Sequence, residues 1–392
     1  YRRRRQNTRA SQIKLVGIVA VIVVIAIIIV ISCFNKTKKD SNKAKNTGTA
    51  TENVTGVTEQ VSETEQVSET EEAKELFVPK ESDATAAIGD ELESSYAVVI
   101  DEQDGTVVAG KNAHEKMYPA SMTKVMTVLV AAKQAEKNAI AAAENENTEI
   151  DRQAVIENKL NEVVTITREA TDYSYVHDCS TTGFLDGEQV PLRDVFNGTI
   201  LPSGGESAYQ LAVYTAGSME AFVDMMNQKA EELGCVNTHF VNPNGLHDDN
   251  HYTCAYDMAL ITQAAMKYDK FREIIHTQEY SYPETNLGKE KRYFANHHGM
   301  LMDESRAYDG FIGGKTGYTD EAWNTLVSTA ERDGMLLISV VLHANGQDIE
   351  YGNTKTVLDY GYNNFKEVQI NNLDQTVSDT EVIGIEDAQE AE

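Results

Sequence analysis

Ser121 and Lys124 stand three residues apart in Pro119-Ala-Ser-Met-Thr-Lys124, and a second lysine stands far downstream in Lys315-Thr316-Gly317. On a helix, residues three apart share a face about one turn from each other. An amine placed there can take the proton from a serine hydroxyl, giving a nucleophile that needs no histidine. The proline ahead of Ser121 suits a helix start. Backbone N–H groups at such an end are unpaired and carry positive character, which can hold a developing oxyanion. The lysine must be neutral to act as the base. A free lysine titrates at about 10.4, so its pKa has to fall by about three units, roughly 4 kcal/mol. Burial and a neighbouring cation both push that way, and Lys315 is the expected cation. Lys315 and Thr316 on an extended segment can hold a carboxylate. Together these residues point to acyl transfer. Spacing alone does not suffice, since Ser11 and Lys14 repeat it beside an apolar run.

Residues 96–100 and 106–109 read as strands joined through Asp104-Gly105, a hairpin turn pair. A helix is expected over 121–137. Residues 140–160 are polar and read as a surface excursion. Helices are expected again at 206–217, 220–233 and 256–267. Strands follow at 311–319, 325–330 and 335–342, the last two joined at Asp333-Gly334, and a final helix covers 350–364. This order predicts an α+β fold, with a mostly antiparallel sheet flanked by helices and an inserted helical lobe.

The net charge of -28 over 392 residues leaves no basic surface for a nucleic acid outside the N-terminus. Residues 1–45 hold eleven Lys or Arg and one acid. Residues 15–34 carry no charge and are mostly Ile and Val, which predicts a transmembrane anchor preceded by a basic cytoplasmic segment at 1–14. Val30-Ile-Ser-Cys33 offers lipidation at Cys33 as an alternative anchor. Residues 35–90 read as a disordered polar linker, with Glu59-Gln-Val-Ser-Glu-Thr64 repeated at once over 65–70. The catalytic domain is expected over 91–368 and an acidic tail over 369–392. Cys179, Cys235 and Cys254 lack CxxC spacing and are expected as free thiols. His297-His298 and His247-Asp-Asp-Asn-His251 lack a metal-site spacing and read as loop or structural histidines. No metal or cofactor is expected.

From about residue 95 to 365 the chain resembles the low-molecular-mass penicillin-binding proteins, the serine-type D-Ala-D-Ala carboxypeptidases. Pro119 to Lys124 resembles the first family motif, and Lys315-Thr-Gly-Tyr-Thr319 resembles the third. Leu201-Pro-Ser-Gly-Gly205 falls where the family has Ser-x-Asn. Phe222-Val-Asp-Met-Met-Asn227, Thr238-His-Phe-Val-Asn-Pro-Asn-Gly-Leu246 and Ala255-Tyr-Asp-Met258 also resemble family segments. The resemblance implies a serine β-lactamase/penicillin-binding-protein-like fold acting on peptidoglycan stem peptides, with β-lactams as covalent inhibitors. It implies that Ser121 attacks the penultimate D-Ala carbonyl, Lys124 accepts its proton and Ser203 relays a proton to the leaving D-Ala. Lys315 and Thr316 would bind the terminal carboxylate, and Gly317 would let the substrate lie on the strand edge. The N–H groups of Ser121 and Tyr318 would form the oxyanion hole. The location implied is the outer side of a bacterial cell membrane. Two departures stand out. Gly205 replaces the motif asparagine, which would contact the substrate amide and help hold the lysine. Too little chain follows Phe365 for the β-rich second domain that family members often carry. A DD-endopeptidase, a β-lactamase and a non-catalytic wall-binding or penicillin-sensing domain are the alternatives. Glu157-Asn-Lys-Leu-Asn161 looks like a β-lactamase glutamate motif, but it precedes Ser203 where that family places it after, and reads as coincidence.

Overall fold

The computed structural model describes residues 81, 85–88, 91–145 and 151–366, all within the unit 71–392. The expected membrane segment at 15–34, Cys33 and the acidic tail lie outside the described residues. Among the described residues no helix is long and apolar enough to cross a membrane.

In chain order the elements are β1 (Ala86–Ala87), β2 (Tyr96–Asp101), β3 (Val107–Lys111), a 3-10 turn (Ala120–Met122), α1 (Thr123–Asn145), α2 (Arg152–Leu160), β4 (Val163–Thr165) and α3 (Arg168–Val176). Then come β5 (Gln189–Pro191), α4 (Leu192–Ile200), α5 (Gly205–Ala216), α6 (Met219–Glu232), α7 (Ala255–Met266) and α8 (Asp269–His276). The chain continues through β6 (Glu279–Tyr282), β7 (Arg292–Ala295), α9 (Gly299–Met302), β8 (Phe311–Thr319), β9 (Trp323–Arg332), β10 (Met335–Ala344) and α10 (Gln347–Asn364). The main sheet has the order β1-β3-β2-β10-β9-β8. Its pairs are antiparallel except β1 with β3. Within the span read as linker, Ala86–Ala87 already pairs with this sheet.

Both hairpins form as read. Asp333 (φ 52°) and Gly334 (φ 86°) each take positive φ, the two-residue turn whose twist matches the flanking strands. β2 and β10 are largely apolar, on both faces, because both faces of the sheet are covered. Val98, Ile100, Ile338 and Val340 pack with the helical lobe, in one cluster with Val125 and Leu129 of α1 and Ala259 of α7. Their neighbours Ala97, Val99, Leu337 and Val341 pack on the other side with Val357 and Leu358 of α10. The alternation of side chains along a strand produces this division. The α+β layering is therefore helices, sheet, helix.

Residues 140–144 and 151–160 are exposed or half-buried, as expected of a surface segment, but helices run through them: α1 runs on to Asn145, and α2 starts at an Asp151 cap whose side chain accepts from the N–H groups of Gln153 and Ala154 at 3.1 Å each. A polar helix lacks the apolar periodicity by which helices are read, but the cap was visible.

Candidate active site

Ser121 sits in the 3-10 turn that leads into α1, so Lys124 falls one turn along. Lys124 Nζ lies 3.1 Å from Ser121 Oγ and donates to the Asn244 carbonyl at 2.7 Å. That carbonyl belongs to the loop Asn242-Pro-Asn-Gly-Leu246, which is moulded on the Ser121 turn. Asn242 Oδ1 accepts from the N–H groups of Asn244, Gly245 and Leu246 at 2.8–3.1 Å. Thr127 Oγ1 donates to Pro243 O at 2.8 Å. Gly245 has φ 83°, and a Cβ there would stand 1.8 Å from the Ala120 carbonyl, so only glycine suits the position. Behind the turn, Val241 N–H donates to His251 Nδ1 (3.1 Å), which leaves the His251 Nε2 proton for Thr123 Oγ1 (2.8 Å). His251 is a structural histidine, and burial pulls its pKa down to about 3.

Lys124 is 2% exposed. Burial lowers its pKa to about 8, against the opposing pull of Cys179 and Glu206. Burial, one of the two expected causes, is thus the largest. Burial first and Lys124 second push Lys315 well below its ordinary value, so the two amines disfavour each other's charge.

A cleft of about 580 Å³ is lined by Ser121, Lys124, Ser203, Thr316, Gly317 and Tyr318. Six of the seven expected residues thus meet there. Lys315 lies just behind the wall, 2% exposed, with Nζ donating to Thr316 O at 2.9 Å. β8 ends the sheet, and among the described residues no strand pairs with its outer edge. Its start is covered by α8, where His276 Nδ1 meets Ile312 O at 2.7 Å, and residues 316–319 line the cleft. The space Gly317 leaves is taken by the Ser121 turn and Thr325, since a Cβ there would stand 2.9 Å from Ser121 N and 2.4 Å from Thr325 Oγ1. Ser203 holds φ 58° without being glycine, is 4% exposed, and its Oγ has no hydrogen-bond partner among the described residues.

Gly205 has an explanation invisible in the sequence. A Cβ at 205 would stand 2.5 Å from Cys179 Cβ and 2.9 Å from its sulfur. Cys179 also lines the cleft, and Gly205 N–H donates to Ser180 O at 2.7 Å. The loop after α3 therefore fills the place of any side chain at 205. Next to it, buried Glu206 accepts from Thr181 Oγ1 and Gly183 N–H, each at 2.7 Å. Cys179, Cys235 and Cys254 are free thiols.

Glu350 was also missed. It lines the cleft from the first turn of α10 and is 1% exposed. His298 is buried against Ser328 Oγ at 3.0 Å, while its neighbour His297 reaches the cleft wall. Glu157 is elsewhere. It pairs with Arg193 at 2.8 Å and Lys270 at 2.7 Å beside a separate cavity of about 420 Å³ in the helical lobe.

A family model described as D-alanyl-D-alanine carboxypeptidase, Peptidase_S11, matches residues 80–346. D-alanyl-D-alanine carboxypeptidase DacF of Bacillus subtilis (strain 168) is 30% identical over 310 residues, covering 78% of this chain and 71% of the relative. DacA of Escherichia coli (strain K12) is 33% identical over 286 residues, 71% of this chain and 63% of the relative. The crystal structure of the Streptomyces K15 DD-transpeptidase is similar with a TM-score of 0.59 and 27% identity, covering 69% of this chain and 98% of that one. The D-alanyl-D-alanine carboxypeptidase from Mycobacterium tuberculosis H37Rv gives 0.57 and 27%, covering 69% and 91%.

Proposed function

The chain belongs to the peptidase S11 family of D-alanyl-D-alanine carboxypeptidases, and we propose that it removes the terminal D-Ala from peptidoglycan stem pentapeptides through an acyl-enzyme on Ser121. The observation that carries this reading is the buried Lys124 amine 3.1 Å from Ser121 Oγ, with its pKa drawn down to about 8. An amine titrating there is available as a base near neutral pH.

In this reading the Ser121 proton passes to neutral Lys124 as Oγ attacks the carbonyl carbon of the penultimate D-Ala. The substrate runs along the open half of β8 as an added strand. The N–H groups of Ser121 and Tyr318 hold the oxyanion. As the C–N bond breaks, Ser203 relays a proton to the leaving amine, a role that suits its unpartnered Oγ and strained backbone. The terminal carboxylate is held by Thr316 with Lys315 behind it. Water then attacks the ester, Lys124 takes its proton, and Ser121 is restored. β-Lactams would acylate the same serine. The apolar run 15–34 would hold the protein in the cell membrane, with the linker giving the domain reach outside it.

The test is the intact mass of the protein during incubation with benzylpenicillin. A stable adduct is expected, absent in Ser121→Ala, together with D-Ala release from a pentapeptide. Fast return to free mass with penicilloate release would indicate a β-lactamase. The absence of both the adduct and D-Ala release would sink the enzymatic reading.

A further inference from the structure

Glu350 lines the cleft but has no part in the reaction proposed above. Its side chain is 1% exposed, and Oε1 has no hydrogen-bond partner among the described residues. A carboxylate so placed is costly unless it is protonated or paired. Lys315, on β8, acts on it electrostatically, but the Lys315 amine donates to the Thr316 carbonyl. Arg306, from the loop after α9, also acts on Glu350, while its guanidinium donates to Gln347 Oε1 at 3.0 Å and Asp348 Oδ1 at 3.2 Å. His297 and His298, ahead of α9, have lowered pKa values through burial and stay neutral in the alkaline range. Tyr351, beside Glu350 on α10, is pushed up to about 12 and is neutral there too.

These charges decide whether an anion fits. With Lys315 and Glu350 both protonated, the pair carries one positive charge and can accept a carboxylate. With Glu350 ionised, the lysine charge is already cancelled, and an incoming carboxylate leaves a net negative charge out of water. We propose that Glu350 gates the anion site: a ligand's terminal carboxylate is held at Lys315 and Thr316 only while Glu350 carries a proton, so that above neutral pH binding takes up a proton. This rests on the function proposed above, because the anion is the terminal carboxylate of the substrate. Burial raises the Glu350 pKa to about 8, against Arg306 and Lys315, which puts the gate within reach of experiment.

Acylation then needs Lys124 without its proton and Glu350 with one, and its pH profile is a bell. The falling limb belongs to the Glu350–Lys315 pair, which titrates as a unit. Its first proton comes from either group. Glu350→Gln mimics the protonated acid and leaves Lys315 as the only source of that proton. The second-order rate of acylation by benzylpenicillin, itself a carboxylate, is measured by mass from pH 6 to 10.5 on the full chain and on Glu350→Gln. The falling limb is expected to move up in the variant, with rates equal near pH 7 and the variant roughly tenfold faster one pH unit above the wild-type limb. An unmoved limb means that the proton lost is that of Lys315 and overturns the proposal. A second measurement is calorimetry of N-acetyl-D-alanine binding at pH 8.5, in two buffers of different ionisation enthalpy, on the wild type and on Glu350→Gln. Net proton uptake that falls in the variant supports the gate, and no uptake, or uptake unchanged in the variant, overturns it. No acylation at any pH, with N-acetyl-D-alanine still bound and a proton still taken up, would sink the acyl-enzyme reading and leave the gate standing.

Discussion

At the residue scale the site is a matter of which groups are kept from water and which positions are already filled. Lys124 was expected to be depressed by burial and by a neighbouring cation, and burial is the largest cause. The gap at Gly205 is no vacancy, because Cys179 stands in it. An asparagine at 205 must push that loop away. Gly205→Asn should therefore destabilise the fold by about 1–3 kcal/mol, the usual cost of overpacking, and slow acylation of Ser121. Adding Cys179→Gly should recover most of the stability in urea denaturation. Equal stability of the single variant and the wild type would show that the loop yields freely. Ser121, Lys124, Ser203 and the Lys315 segment were legible because each belongs to a short local pattern. Cys179 and Glu350 were not. Their importance comes from a loop and a helix that docking alone carries into the cleft.

Among elements, the loop from Asn242 to Leu246 fixes the start of α1 as firmly as the helix does. It receives the Lys124 amine, and its Gly245 touches the carbonyl just ahead of Ser121. Gly245→Ala meets two penalties, a positive φ that favours glycine and a backbone clash. It should cost about 2–4 kcal/mol in urea denaturation and cut penicillin acylation at least tenfold, since relief of the clash moves Ser121 away from Lys124. Unchanged acylation would mean that the turn keeps its geometry without this support. The long strands of the main sheet and the longer helices were readable from turn pairs and periodicity, whereas α4 and α8, of nine and eight residues, were not read. The short pieces, such as β4 with β5 and β6 with β7, were not, because three or four residues carry too little pattern.

For the whole molecule, the buried Glu350 sets a cost against folding. Its folded pKa of about 8 lies above the ordinary 4.5. Its contribution is favourable below pH 4.5 and is lost as pH rises to 8, at about 1.4 kcal/mol per pH unit. Glu350→Gln escapes that loss, so it should be more stable than the wild type at pH 8 by several kcal/mol. The gap should close toward pH 4.5 in urea denaturation at each pH. A gap that ignores pH would show that Glu350 is not buried as a titrating acid. The sheet imposes a different constraint, one of timing. β2 pairs with β10 across about 240 residues of chain, and at 5–20 residues per second that interval takes roughly 10–50 s to synthesise. A β2–β3 hairpin forms in microseconds, so it must wait with Val98 and Ile100 uncovered while the helical lobe is still being made. Folding of this domain is therefore governed by its last hairpin and is slow for its size. A nascent chain held unfolded until β10 and α10 emerge gains the most from a chaperone.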